Sequence, residues 1–129
     1  MIWFIAAGSA VGGAARYVLG MFVQSRMTTP FPVGTLLINV IGSLILGFIV
    51  RWTMDTTTVS PEVRGMLTAG FCGGFTTFSA FSYETARLME DGDYRRAAWY
   101  VSASVTLSIA ATFAGFAIAR AALAAQRTL

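Results

Sequence analysis

A chain of 129 residues that is 56% hydrophobic and only 12% charged, with a mean hydropathy of +0.67, is excluded as an ordinary soluble domain and reads as an integral membrane protein. The formal charge of +3 rests on nine arginines and no lysine, and neither an enzyme nor a nucleic-acid-binding protein is expected. One cysteine, Cys72, and no histidine exclude a disulfide framework and leave nothing to build a zinc site.

Four apolar stretches, approximately 2–23, 33–53, 64–88 and 97–125, each reach the roughly 20 residues a helix needs to cross a bilayer. The first starts without a basic leader or a small-residue cleavage site and is expected to be a retained helix, not a signal peptide. It carries Gly8 and Gly12 at helical spacing, a pattern that lets backbones approach closely in lipid. Arg16 lies within it, about seven residues or roughly 10 Å from its end. Three roles stay open for that arginine: attracting anions at a vestibule mouth, anchoring the helix at the interface, or pairing with Glu84.

In the second stretch Thr35, Asn39, Gly42 and Ser43 share one helical face, and the Asn39 amide needs a partner at membrane depth. The third stretch is the least lipid-like, because residues 70–85 bring glycines, hydroxyls and aromatic rings together. Gly73 and Gly74, followed by Phe75, Thr76 and Thr77, combine poor helix propensity with β-branched residues, so a break is expected there. Freed carbonyls at such a break must be satisfied by protein, water or an ion, and carbonyls converging on a symmetry axis suit a hard monovalent cation such as Na⁺. The competing reading is that the two glycines only admit a neighbouring helix. Beyond the break, Phe78 and Phe81 fall on one face, flanked by Ser79, Ser82 and Thr85; phenyl ring edges are positive and can face an anion. Glu84 extends the line from Thr77 through Phe81 toward the end of the span. The fourth stretch places Tyr100, Ser104 and Ser108 at i, i+4 and i+8, a polar stripe continued by Thr112.

The connectors, residues 24–32, 54–63 and 89–96, are short, with Pro30, Pro32 and Pro61 marking helix limits. Four spans put both termini on one side. Leaving aside Arg16 within the first span, Arg51, Arg64, Arg120 and Arg127 then lie toward that side, and Arg26, Arg87, Arg95 and Arg96 toward the other. Such a balance gives no strong orientation signal. Insertion both ways would allow an antiparallel homodimer with its two-fold axis in the membrane plane; a single orientation set by weak biases is the alternative. Four helices alone are too few to enclose a wide pore, so an oligomer, most simply a dimer, is expected.

The runs at 34–42 (GTLLINVIG) and 70–84 (GFCGGFTTFSAFSYE) resemble the signature of the Fluc family of bacterial fluoride channels, also called CrcB-like proteins, and the resemblance covers essentially the whole chain. It implies an all-α membrane protein with four transmembrane helices, the third broken, assembled as a dual-topology antiparallel homodimer. It also implies two parallel fluoride pores and a central structural Na⁺ held by backbone carbonyls, those of Gly73 and Thr76. Phe78 and Phe81 would be ring-edge fluoride ligands and Asn39 the pore amide. Tyr100, Ser104 and Ser108 would match fourth-helix pore positions, and Arg16 the vestibule arginine. Thr77, Ser79, Ser82 and Glu84 are candidates for a polar track, with Ala80 standing where many relatives are expected to carry a hydroxyl. The implied function is passive fluoride export across the bacterial inner membrane, with fluoride, sodium, lipid and a second copy of the chain as partners. A proton-coupled exporter of cationic drugs is the alternative of similar size, and a helper subunit of a larger complex is a third.

Overall fold

The computed structural model describes residues 1–129 as an all-helical bundle. Helices α1 (Ile2–Gln24), α2 (Val33–Met54) and α6 (Tyr94–Arg127) are each long and apolar enough to cross a bilayer. Between α2 and α6 the chain returns in pieces: α3 (Pro61–Gly65), a π-helical segment (Met66–Cys72), α4 (Gly73–Phe75) and α5 (Phe78–Glu90). Ser60 caps the first piece by accepting from the Val63 amide, with Pro61 at the first helical position where its missing N–H costs nothing.

The third span is thus broken, but not where its glycines stand. Gly73 to Phe75 stay helical, and the extended residues are Thr76 (φ −83°, ψ 160°) and Thr77 (φ −152°, ψ 120°). Two β-branched residues favour extended backbone, and Thr77 is held there by Asn39. The glycine pair has a different job. A Cβ on Gly74 would come within 2.6 Å of the Ser9 carbonyl, whereas one on Gly73 would meet nothing closer than 3.9 Å. Gly74 therefore belongs to the crossing with α1, together with Gly70, whose carbonyl accepts from Ser9 Oγ at 3.3 Å. On the other side of that crossing a Cβ at Gly12 would overlap the Phe71 carbonyl. Small residues thus let the two backbones touch, the packing mode that works where lipid offers no hydrophobic drive.

Helices α2 and α6 make the most extensive contact in the bundle and run parallel, crossing where Gly47 meets Thr112 and Gly115 meets Leu44 and Phe48. Helix α6 is longer than the expected 97–125 at both ends. Asp93 extends it at the start by accepting from the Arg96 amide at 3.1 Å and pairing with its guanidinium at 2.6 Å. Those two bonds, the backbone one first, hold the Asp93 carboxyl below the usual carboxylate range. Only 19 of the 129 residues are buried within the single chain, so most apolar side chains meet something outside it.

Candidate functional site

Everything in the site follows from what Asn39 does at the break. Its Nδ2 donates to the Thr77 carbonyl at 3.1 Å, and its Oδ1 accepts from the Thr77 amide at 2.8 Å. One side chain on α2 thus replaces both backbone partners that Thr77 loses by leaving the helix, as unsatisfied backbone is not tolerated at membrane depth. The Thr77 hydroxyl in turn accepts from the Ala80 amide at 3.2 Å and caps α5. These two substitutions free two carbonyls. In an unbroken helix the Thr77 amide would bond the Gly73 carbonyl and the Ala80 amide the Thr76 carbonyl; here both donors are spent on side-chain oxygens.

An Asn carboxamide has two N–H donors, and one is used on Thr77. The side chain also lines a cavity of about 290 Å³ with Ser43, Leu46, Thr76, Thr77, Phe78, Phe81, Ser104, Val105 and Ser108. No ionisable group is among them. The Ser104 hydroxyl is buried and has no hydrogen-bond partner in the chain, so its donor is available to whatever occupies this space. Phe81 stands between Phe78 (ring centroids 5.5 Å apart) and Tyr100 (5.2 Å). Phe78 itself is 79% exposed, with most of its ring facing away from its own chain.

Above the cavity sits a three-helix hydrogen-bond cluster. Glu84 accepts from Thr35 Oγ1 at 2.8 Å and from the Tyr100 hydroxyl at 2.6 Å, tying α5 to α2 and α6. Tyr100 is fully buried and also meets Phe31 edge-on at 5.5 Å.

The residues singled out in the sequence are distributed as follows. Asn39, Thr76, Thr77, Phe78, Phe81, Ser104 and Ser108 meet at one cavity; Tyr100 and Glu84 meet in the cluster above it. Ser79 lies against the Thr77 hydroxyl at 3.3 Å. Ser82 is exposed and its hydroxyl returns to the Phe78 carbonyl of its own helix at 2.9 Å. Arg16 lines a separate cavity of about 310 Å³ with Gly13, Tyr17, Gly20, Thr35 and Thr77. It makes no ion pair with Glu84, the chain's two ion pairs being Arg51–Asp55 and Arg96–Asp93. A Cβ at Gly73, just before the break, would meet only the Thr68 carbonyl, at 3.9 Å. Leu46 and Val105 were not anticipated as lining residues. Being apolar they carry no chemical signal, although Leu46 follows Asn39 and Ser43 at helical spacing.

Comparison with known proteins places this architecture. The family described as "CrcB-like protein, Camphor Resistance (CrcB)" matches residues 3–116. The chain is 49% identical over 116 residues to the fluoride-specific ion channel FluC of Geobacter sulfurreducens, covering 90% of this chain and 94% of the relative. It is 43% identical over 120 residues to that of Rhizobium meliloti, covering 93% and 96%, and 42% identical over 119 residues to that of Chlorobaculum tepidum, covering 92% and 94%. With its family signature spanning nearly every helix and relatives this similar along almost their full length, the chain belongs to the CrcB-like family of membrane proteins.

Proposed function

We propose that this protein is a fluoride-selective channel that lets fluoride leave the cell passively, and that the cavity at the helix break is part of the path. The observation that carries the reading is the lining of that cavity: a buried Ser104 hydroxyl with no partner, one spare Asn39 N–H and the Phe78 and Phe81 rings, with no charged group. Fluoride is small and strongly hydrated, so a narrow passage must replace its water with closely placed donors that larger halides cannot approach as well. Hydroxyl, amide and ring-edge groups do this. A guanidinium at the same place would hold the anion too tightly, since conduction requires sites that are favourable to enter and easy to leave. The curated relatives carry the name of this activity.

A proton-coupled exporter requires a membrane carboxylate that trades protons for its substrate. Glu84 is the acidic residue nearest to that role, and both its oxygens are engaged by Thr35 and Tyr100. Nothing in the relatives favours that alternative. Purified protein in liposomes is expected to release fluoride at channel-like rates while retaining chloride; no fluoride release, or equal release of both halides, contradicts the reading.

The working unit is a dual-topology antiparallel homodimer in the inner membrane. Support comes from the small buried fraction of the chain, the exposed Phe78 ring and the even division between the two sides of the eight arginines other than Arg16. A terminal tag should be reached by an impermeant label from both faces of the membrane, and one-sided labelling would refute the arrangement. A Na⁺ fits the break on the chemistry of its donors. The Gly73 and Thr76 carbonyls have lost their helical partners to Asn39 and Thr77, and hard oxygen donors are what this cation takes. Gly73 and Thr76 would hold it, and when bound it supplies positive charge to the break. Replacing Na⁺ with a large organic cation should lower the unfolding temperature of the protein, whereas an unchanged midpoint argues against the site.

A further inference from the structure

Away from the break, the C-terminal ends of α2 and α6 lie side by side and form an open cleft, about 260 Å³, between Arg51, Asp55, Arg120 and Arg127, with Leu123 and Ala124 as its apolar wall. Three guanidinium groups face one carboxylate there. Arg51 spends its Nη2 on Asp55 at 3.0 Å, and its enclosed Nε has no acceptor in the chain. Arg120 and Arg127 have no ion-pair partner at all. They stand seven residues apart on α6, two turns along one face. The cluster is therefore over-supplied with planar, fork-shaped donors whose natural complement is an oxyanion, a carboxylate or a phosphate.

Its depth limits what that oxyanion is attached to. At 34 residues α6 is about 51 Å long, well beyond the roughly 30 Å hydrocarbon core. Its last two turns therefore emerge at headgroup level, where Arg51 on α2 also lies near its helix end. Cationic side chains at that level attract anionic phospholipids. We propose that Arg51, Arg120 and Arg127 form a phosphate-binding site at the membrane surface, independent of the conduction path, that takes the phosphodiester of an anionic phospholipid or a free phosphate ion.

The test is thermal unfolding of the purified protein in neutral detergent, titrated in separate arms with phosphatidylglycerol, phosphatidylcholine and inorganic phosphate. For the wild type, saturating phosphatidylglycerol is expected to raise the midpoint by about 5 °C, as selective binding to the folded state does, and phosphatidylcholine to leave it unchanged. Arg120→Gln/Arg127→Gln should lose the shift, and Arg127→Gln alone, a change in the last turn that the fold tolerates, should lose part of it. Arg87→Gln/Arg95→Gln removes the same charge at the opposite end and should respond as wild type. A shift with phosphatidylglycerol alone supports the site with lipid as its source; one with inorganic phosphate as well supports it with the free ion sufficient. No shift in either arm, or equal shifts in wild type and Arg120→Gln/Arg127→Gln, overturns the proposal.

Discussion

Replacing Asn39 with Ala is expected to do the largest damage, lowering both stability and fluoride flux. The substitution removes the acceptor of the Thr77 amide and the donor to the Thr77 carbonyl in one step. Each backbone group left unpaired at this depth costs about 1–3 kcal/mol, so the loss is about 2–6 kcal/mol, a large share of a membrane bundle's margin. Thermal unfolding followed by circular dichroism reads the stability change, and fluoride efflux from liposomes reads the functional one. Asn39→Asp separates the two roles. An aspartate keeps an oxygen for the Thr77 amide but, when ionised, gives up the N–H donor and brings negative charge to the wall of the 290 Å³ cavity. Repulsion between unit charges about 4 Å apart is about 4 kcal/mol at an effective dielectric of 20, so flux in this variant should fall at least tenfold while the fold survives better than in Asn39→Ala. Wild-type unfolding and normal flux in both variants would remove the clamp from the account.

The second large effect belongs to the phenyl rings. Phe81→Ala is expected to cut fluoride flux at least tenfold, because Phe81 is packed between Phe78 and Tyr100 and its loss both widens the cavity and removes a ring edge. Truncating a half-buried Phe costs stability as well, about 3 kcal/mol where the site cannot collapse, so Phe81→Leu is the informative companion. Leucine restores most of the volume without the quadrupole of the ring. Phe81→Leu should be as defective in flux as Phe81→Ala yet unfold near the wild-type temperature. Phe78→Ala should lose flux with little change in the stability of the isolated chain, since its ring is mostly outside its own chain's packing. Normal flux in all three variants would require ring-edge contact with the anion to be dropped.

How far the sequence could be read depended on whether a feature was local or shared between helices. The spans were legible because hydropathy is a property of one segment, and the stripe of Tyr100, Ser104 and Ser108 because it needs only helical spacing. The break in the third span was legible from its composition to within a few residues, since Thr76 and Thr77 end the stretch that starts at Gly73. Gly73 and Gly74 are poor helix formers, yet they remain helical, because the break falls on the β-branched pair that a residue 38 positions earlier in the chain holds extended. The same limit hid the Thr35–Glu84–Tyr100 cluster. All three residues were visible as polar positions, and Arg16 was an equally reasonable partner for Glu84 by charge; only the packing of α2, α5 and α6 selects the two hydroxyls.

The position of the break also explains why the uncharged cavity and the freed carbonyls occur together. By taking both Thr77 backbone groups, Asn39 leaves the Gly73 carbonyl without its usual donor and places its own remaining N–H at the cavity wall. One side chain thereby sets both the backbone of the break and part of the wall of the cavity beside it.

The central claim is that fluoride crosses alone and passively. Its most direct test is the zero-current potential of purified protein in a planar bilayer with fluoride in excess on one side and chloride in excess on the other, at equal pH and equal sodium. A fluoride-selective path predicts a potential at the fluoride equilibrium value that does not move when a pH gradient is added. A potential near zero, or one that follows the proton gradient, would contradict it.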